Sequence, residues 1–174
     1  MKRFLYIDTE FNGYKGQLMS MGIVSDSLPQ SLGRKSEEFY CVRSLGDDVI
    51  IDPWVKENVQ PHLFNGKRDI KDPESHPTVY AFYGYDLEEF QQKLESFLQK
   101  FEDGFVIVAD WPDDIRYFCE SLITAPGKMI DIPDFEIKVV RTDYLYPSRL
   151  PHNALEDARA LKKTIERMHD FRLY

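Results

Sequence analysis

Phe4-Leu5-Tyr6-Ile7-Asp8-Thr9-Glu10-Phe11 decides how the chain begins to fold: an apolar run leads into two carboxylates two residues apart. Side chains alternate across a strand, so Asp8 and Glu10 share one face. A strand that reads as a continuous apolar run is buried on both faces and central in its sheet. Open α/β sheets place their sites at the carboxyl ends of such strands. Two acids there can hold a divalent metal. Taken alone, the stretch equally suits a strand that ends as the chain reaches solvent, with Asp-Thr-Glu as ordinary polar residues.

The last third of the chain favours the functional alternative. His152-Asn153-Ala154-Leu155-Glu156-Asp157 reads as a helix start, with Asn153 as N-cap and Glu156 at the third helical position in a capping-box-like arrangement. Leu155, Ala158, Leu161, Ile165 and Met168 then recur at helical spacing. His152 and Asp157 occupy the two positions where a hydrophobic staple would put an apolar pair. An acid in a first turn is normally explained by the helix dipole, and a lone His by surface or satisfied-core placement. The two together at staple positions, with two acids at a strand end elsewhere, point to chemistry. As a cap, Asn153 is expected to be worth ~1 kcal/mol.

A third acidic cluster follows the buried strand candidate Phe105-Val106-Ile107-Val108-Ala109: Asp110-Trp111-Pro112-Asp113-Asp114. Proline at the first helical position starts a helix expected over 112–124, with Ile115, Phe118, Cys119 and Leu122 as its apolar stripe. Asp113 points nearly opposite that stripe and Asp114 lies at its edge, where a group faces both protein and cleft. Asp114 is therefore the better candidate, and Asp110 at the strand end is the alternative. Four carboxylates without Cys or a further His at ligand spacing are hard oxygen donors, suited to Mg²⁺ or Mn²⁺ rather than Zn²⁺.

Asp8-x-Glu10, the later Asp114 and His152-x4-Asp157 resemble, in order and spacing, the three motifs of the DnaQ-like (DEDDh) 3′–5′ exonucleases. Asp8-Thr9-Glu10-Phe11, Leu18-Met19-Ser20-Met21-Gly22-Ile23-Val24 and Trp54-Val55-Lys56-Glu57-Asn58-Val59 are similar to segments of the small bacterial and phage 3′–5′ exoribonucleases. The second motif departs from the family pattern: Asp110 and Asp113 stand where an Asn and an aromatic are usual. The resemblance implies one α/β domain over residues 1–174 with an RNase H-like fold, a mixed five-stranded sheet flanked by helices. It implies hydrolysis of single-stranded RNA from its 3′ end, releasing nucleoside 5′-monophosphates, with two divalent cations, Mg²⁺ or Mn²⁺. Asp8 would bridge the ions, Glu10 and Asp157 would complete one site, and Asp114 would support the other. His152 would be the general base, since an imidazole titrating near pH 6.5 can take a proton at neutral pH.

Alternatives carry the same residues into a DNA exonuclease or proofreading subunit, a catalytically silent nucleic-acid-binding module, or a hydrolase of dinucleotides. A haloacid dehalogenase-type phosphatase would want Asp-x-Asp where Asp8-x-Glu10 stands. A homodimer is left open.

The remaining sequence sets bounds. The 174 residues suit one ordinary domain, 43% hydrophobic and 14% aromatic. Cys41 and Cys119 lie in apolar segments without ligand spacing, so a reducing cytoplasm is the expected compartment. Met1-Lys2-Arg3 precedes too short an apolar run for a signal peptide or anchor, and no membrane association is expected. A net charge of −8 argues against extended wrapping of duplex DNA, though not against gripping a short single-stranded end. Lys138, Arg141, Arg149 and Arg159 are candidate phosphate contacts, each also readable as a solvated surface charge.

Further strands are expected at 17–24, 38–42 and 136–141. A short helix should run from Asp52-Pro53 to the residue before Pro61. A long amphipathic helix carries Leu87, Phe90, Leu94, Phe97, Leu98 and Phe101 as its core stripe. Residues 65–78 read as a loop, and Tyr80, Phe82, Tyr83 and Tyr85 as an aromatic patch whose packing role outweighs base stacking. His62, His76 and His169 carry no functional expectation.

Overall fold

The structure, a computed structural model, describes residues 2–26, 36–63, 78–142 and 146–172, and the side chains of all of these except 78–83 and 169–172. Residues 65–77 and His76 of the expected loop lie outside the described residues, as does the side chain of His169. Three strands open the fold as an antiparallel meander, β1 (Arg3–Phe11), β2 (Leu18–Ser25) and β3 (Glu37–Arg43). Helix α1 (Pro53–Asn58) follows, with Asp52 accepting from the backbone of Trp54 and Val55 as its cap. It ends two residues earlier than expected, and a 3₁₀ turn at Gln60–His62 takes Pro61 into its first turn, where the missing N–H costs nothing.

Alternation of strand and helix then takes over: β4 (Thr78–Tyr85), α2 (Leu87–Leu98), β5 (Phe105–Ala109), α3 (Pro112–Leu122), a small hairpin of β6 (Ile123–Ala125) and β7 (Lys128–Met129), β8 (Phe135–Val139), and α4 (Ala154–Arg172). The result is an α/β fold with a mixed sheet, ordered β4-β3-β2-β1-β5-β8 among the described residues. The sheet therefore has six strands, not the five expected. The extra one is β4, parallel to β3 at the edge, formed by the residues taken for an aromatic patch. Val79, Tyr80, Phe82, Tyr83 and Tyr85 are strong β-formers, but they lack the polar-apolar alternation that marks a half-buried strand. Helix α3 stops at Leu122 rather than 124, because Ile123 turns to extended backbone to enter β6.

Strand β1 lies between β2 and β5, and its two faces feed separate cores. Leu5 and Ile7 face α2 and α3, packing with Phe90, Leu94, Phe97, Phe118 and Leu122. Tyr6 faces α4 and packs with Val108, Leu161 and Ile165. Leu87, expected in the core stripe of α2, is 43% exposed at the helix start, whereas Phe101 is buried just beyond the helix end. A third cluster joins Val55 and Val59 of α1 to Ala154, Leu155 and Ala158 of α4, so α1 and the start of α4 share one side of the sheet. No helix among the described residues is long and apolar enough to cross a membrane.

Candidate metal centre

Parallel pairing of β1 with β5 ends at Tyr6 and Val108, and two residues further along each segment stands an aspartate, Asp8 within β1 and Asp110 just past the end of β5. Glu10 follows on the same face as Asp8, just before a register irregularity at Glu10/Phe11. Such a bulge bends the strand and re-aims the neighbouring side chains. From the α2/α3 side, α3 brings Asp114 to the same point. From the opposite side, the first turn of α4 brings Asp157. Oxygens of Asp8, Glu10 and Asp157 lie within 4.8 Å of one another, and so do oxygens of Asp8, Asp110 and Asp114. Asp8 belongs to both groups. Asp110 and Asp114, weighed as alternatives from the sequence, both take part.

Each acid is held by backbone the sequence only partly revealed. Asp114 is buried, and its Oδ1 accepts from Thr9 N at 3.0 Å and from Thr9 Oγ1 at 2.7 Å. Thr9 points to the face opposite Asp8 and Glu10, which makes it the clamp for the acid arriving from α3. Asp113, one residue earlier, turns outward to Arg116 Nε at 3.0 Å and accepts from Trp111 Nε1 at 3.3 Å. The helical-wheel distinction between the two neighbours therefore holds in the geometry. Asp157 Oδ2 accepts from the backbone N–H of His152 at 3.0 Å, closing the staple positions with a hydrogen bond instead of an apolar contact.

Asn153 caps α4 through its Oδ1, which accepts from Glu156 N at 3.2 Å. The reciprocal half of a capping box is absent among the described bonds, because the Glu156 carboxylate pairs with Arg159. Arg159 is also bound to buried Glu38 of β3. It is ion-paired and part-buried, not the solvated surface charge that its sequence context also allowed. Lys138, Arg141 and Arg149 are exposed.

His152 sits at φ +64°, a left-handed conformation that carries strain in a non-glycine residue. Its ring meets Trp54 edge to face, with centroids 5.2 Å apart. Trp54 is 55% exposed at the start of α1. The two segments are tied together by Asn153, whose Nδ2 donates to the His62 carbonyl at 2.9 Å and to Tyr40 Oη at 3.1 Å.

Gly22 of β2 pairs with Asp8, and a Cβ there would lie 2.4 Å from the Ala154 carbonyl and 2.5 Å from Leu155 N. Only hydrogen lets the first turn of α4 approach the sheet closely enough to lay Asp157 over Asp8 and Glu10. Gly22→Ala should therefore destabilise the fold by about 1–3 kcal/mol, the usual cost of overpacking. It should also weaken cation binding more than an equally destabilising change in the distant core, as calorimetric titration with Mn²⁺ would reveal. A glycine inside a strand often marks a close backbone approach, and that signal could have singled out Gly22 from sequence. Thr9 and the Trp54–His152 contact had no comparable sequence signal.

Five carboxylates in a small volume are electrostatically unfavourable without a counter-charge. Burial first, then the charges of Asp114, Glu10, Asp157 and Asp110, push Asp8 well above the ordinary carboxylate range. Glu10 is pushed to about 8 by burial, Asp157 and Asp114. Asp114 rises to about 7 through burial, against the lowering effect of its Thr9 hydrogen bonds. Burial also raises Asp157, partly offset by its bonds to Ser148 and to the His152 N–H and by the charge of His152. Asp8 Oδ2 and Asp114 Oδ2 are enclosed and have no hydrogen-bond partner among the described residues. Buried carboxylate oxygens left without donors, in an all-oxygen set, fit a hard divalent cation such as Mg²⁺ or Mn²⁺. No protein-family model matches this chain, and no characterised protein matches it in sequence.

Proposed function

We propose that the protein is a metal-dependent 3′–5′ exoribonuclease of RNase H-like fold, acting on single-stranded ends and releasing nucleoside 5′-monophosphates. The convergence of Asp8, Glu10, Asp110, Asp114 and Asp157 at the carboxyl ends of the paired strands β1 and β5 carries this reading. The strand order β3-β2-β1-β5-β8, with only β2 antiparallel to its neighbours, is consistent with an RNase H-like sheet to which β4 adds an edge.

Asp8, Glu10 and Asp157 would hold one divalent cation, and Asp8, Asp110 and Asp114 a second. Cations bound there would supply Lewis-acid activation and charge neutralisation for phosphodiester hydrolysis. His152, beside Asp157, would accept the proton of the attacking water. The exposed face of Trp54, in contact with that imidazole, offers a stacking surface for the terminal base, a contact worth ~1–3 kcal/mol in single-strand recognition.

A panel of 5′-labelled RNA and DNA oligomers with Mg²⁺, Mn²⁺ or EDTA tests the proposal. The expected result is a metal-dependent ladder that shortens from the 3′ end, faster on RNA than on DNA and faster on single strands than on duplexes. Activity that survives chelation, or cutting of circular RNA as the main reaction, would rule the proposal out. Faster cleavage of single-stranded DNA would move the assignment to a DNA exonuclease.

A further inference from the structure

On the α2/α3 side of the sheet lies a cavity of about 350 Å³, lined in part by Tyr117, whose ring stacks on Phe11. The two ring centroids are 4.7 Å apart, and Tyr117 Oη donates to the Gly16 carbonyl at 2.5 Å, joining two residues of the cavity lining. Three cations line it: Lys15 from the β1–β2 turn, Arg43 from the end of β3 and Arg116 from α3. The acid cluster does not use any of them. The cavity lies along α3 from Asp114, with Tyr117 and Ser121 about one and two helical turns further on, ~5 and ~10 Å by helix rise.

Each of the two guanidinium groups keeps one enclosed nitrogen without a protein acceptor among the described residues. Arg43 Nε is enclosed and without a partner among the described residues, while Nη1 donates to the Leu18 carbonyl at 3.5 Å. Arg116 Nη2 is likewise enclosed and unpartnered, although Nε bonds Asp113 and the ring of Tyr117 lies 4.0 Å from the guanidinium carbon. Glu120 also lines the cavity, but its carboxylate is drawn to Arg116 Nη1 at 3.4 Å. Asp86 is the acid that acts on Arg43, and burial outweighs it, lowering the Arg43 pKa from its ordinary value. Enclosed guanidinium N–H groups without acceptors are costly, and a planar fork of donors is matched by the oxygens of a phosphate.

We propose that this cavity is a phosphate-binding subsite, taking a nucleotide phosphate other than the one being cleaved. Arg43 and Arg116 supply the unpartnered donors and Lys15 adds charge at the mouth. The phosphate comes either from the bound strand or from a free nucleoside monophosphate. The strand as its source rests on the nuclease reading, whereas the anion site itself does not.

The test uses the whole 174-residue chain in EDTA, so that neither cation binding nor turnover enters. Adenosine 5′-monophosphate and a short single-stranded RNA are each titrated while the arginine Nε–H signals are followed by NMR. Saturable shifts of the Arg43 and Arg116 signals are expected, with affinity about tenfold weaker in Arg43→Gln and in Lys15→Gln, as for loss of a charge-assisted contact. Lys15 is exposed, so its variant separates lost binding from lost folding. Shifts with the monophosphate alone identify a free nucleotide as the source, and tighter RNA binding identifies the strand. Either outcome upholds the subsite, even in a protein that cleaves nothing. Arginine signals unmoved by both probes, or unchanged affinity in both variants, would overturn it.

Discussion

Asp8→Asn should abolish the proposed nuclease turnover while raising the thermal stability of the metal-free protein. The two effects share one cause. Asp8 is the acid common to both oxygen clusters, so its loss removes a ligand from each. The same carboxylate is held well above its ordinary pKa by burial and by four neighbouring acids, and folding therefore works against its charge. An asparagine of nearly the same shape removes that repulsion. Relief of that cost should raise the Tm of the metal-free protein by several degrees for a chain of this size.

The pH dependence has a definite sign. These carboxyls hold their protons more tightly folded than unfolded, so the folded state binds more protons over the window between the two pKa values. Metal-free stability should fall as pH rises from about 4, the unfolded carboxylate value, through about 7 for Asp114 and about 8 for Glu10. Above that window the full cost is present. Mg²⁺ or Mn²⁺ should offset it, and should raise Tm more in mildly alkaline than in mildly acidic buffer. Asp114→Asn should reduce turnover by several orders of magnitude. Asp113→Asn should be mild, because that carboxylate faces Arg116 and solvent. Calorimetric melting of wild type and variants in EDTA and in Mg²⁺ across the pH range decides the matter. Wild-type stability in EDTA that climbs between Asp114 deprotonation and more alkaline pH, with no gain from Asp8→Asn, would defeat the electrostatic account.

His152→Ala should lower turnover by about 10²–10⁴-fold, the typical contribution of a general base, with cation affinity nearly unchanged. The imidazole belongs to neither cluster of candidate ligands. The acidic limb of the wild-type rate profile should vanish or move in the variant. His152→Gly provides the control that separates chemistry from strain. At φ +64° a glycine avoids the Cβ clash of about 1–2 kcal/mol, so His152→Gly should melt above His152→Ala while being equally inactive. Equal activity of His152→Ala and wild type with the same pH profile would return the residue to a structural role. Asn153→Ala is not a clean control, contrary to its appearance as a simple cap. The side chain is buried, and its amide holds the His62 carbonyl and Tyr40 as well as the helix end. Its loss should cost more than the ~1 kcal/mol of an exposed cap and should loosen the Trp54–His152 contact.

The local patterns of the chain determined much of this arrangement. The apolar run before Asp8 placed β1 at the centre of the sheet, Pro112 set the phase that separates Asp114 from Asp113, and Asn153 started α4 so that His152 and Asp157 fall at its staple positions. These features are legible because alternation and helical phase fix which face a side chain takes from its neighbours alone. Tertiary structure decided the rest. It added β4 to the sheet edge, since pairing to β3 depends on a partner distant in sequence. It drew Asp110 in beside Asp114, gave Thr9 its acceptor, occupied Arg159 with Glu38 and Glu156, and made Gly22 the place where a helix touches a strand. Each of these depends on the distance between segments that no local period encodes. The sequence thus determined which acids point out of their elements, and only packing determined that they point at one another.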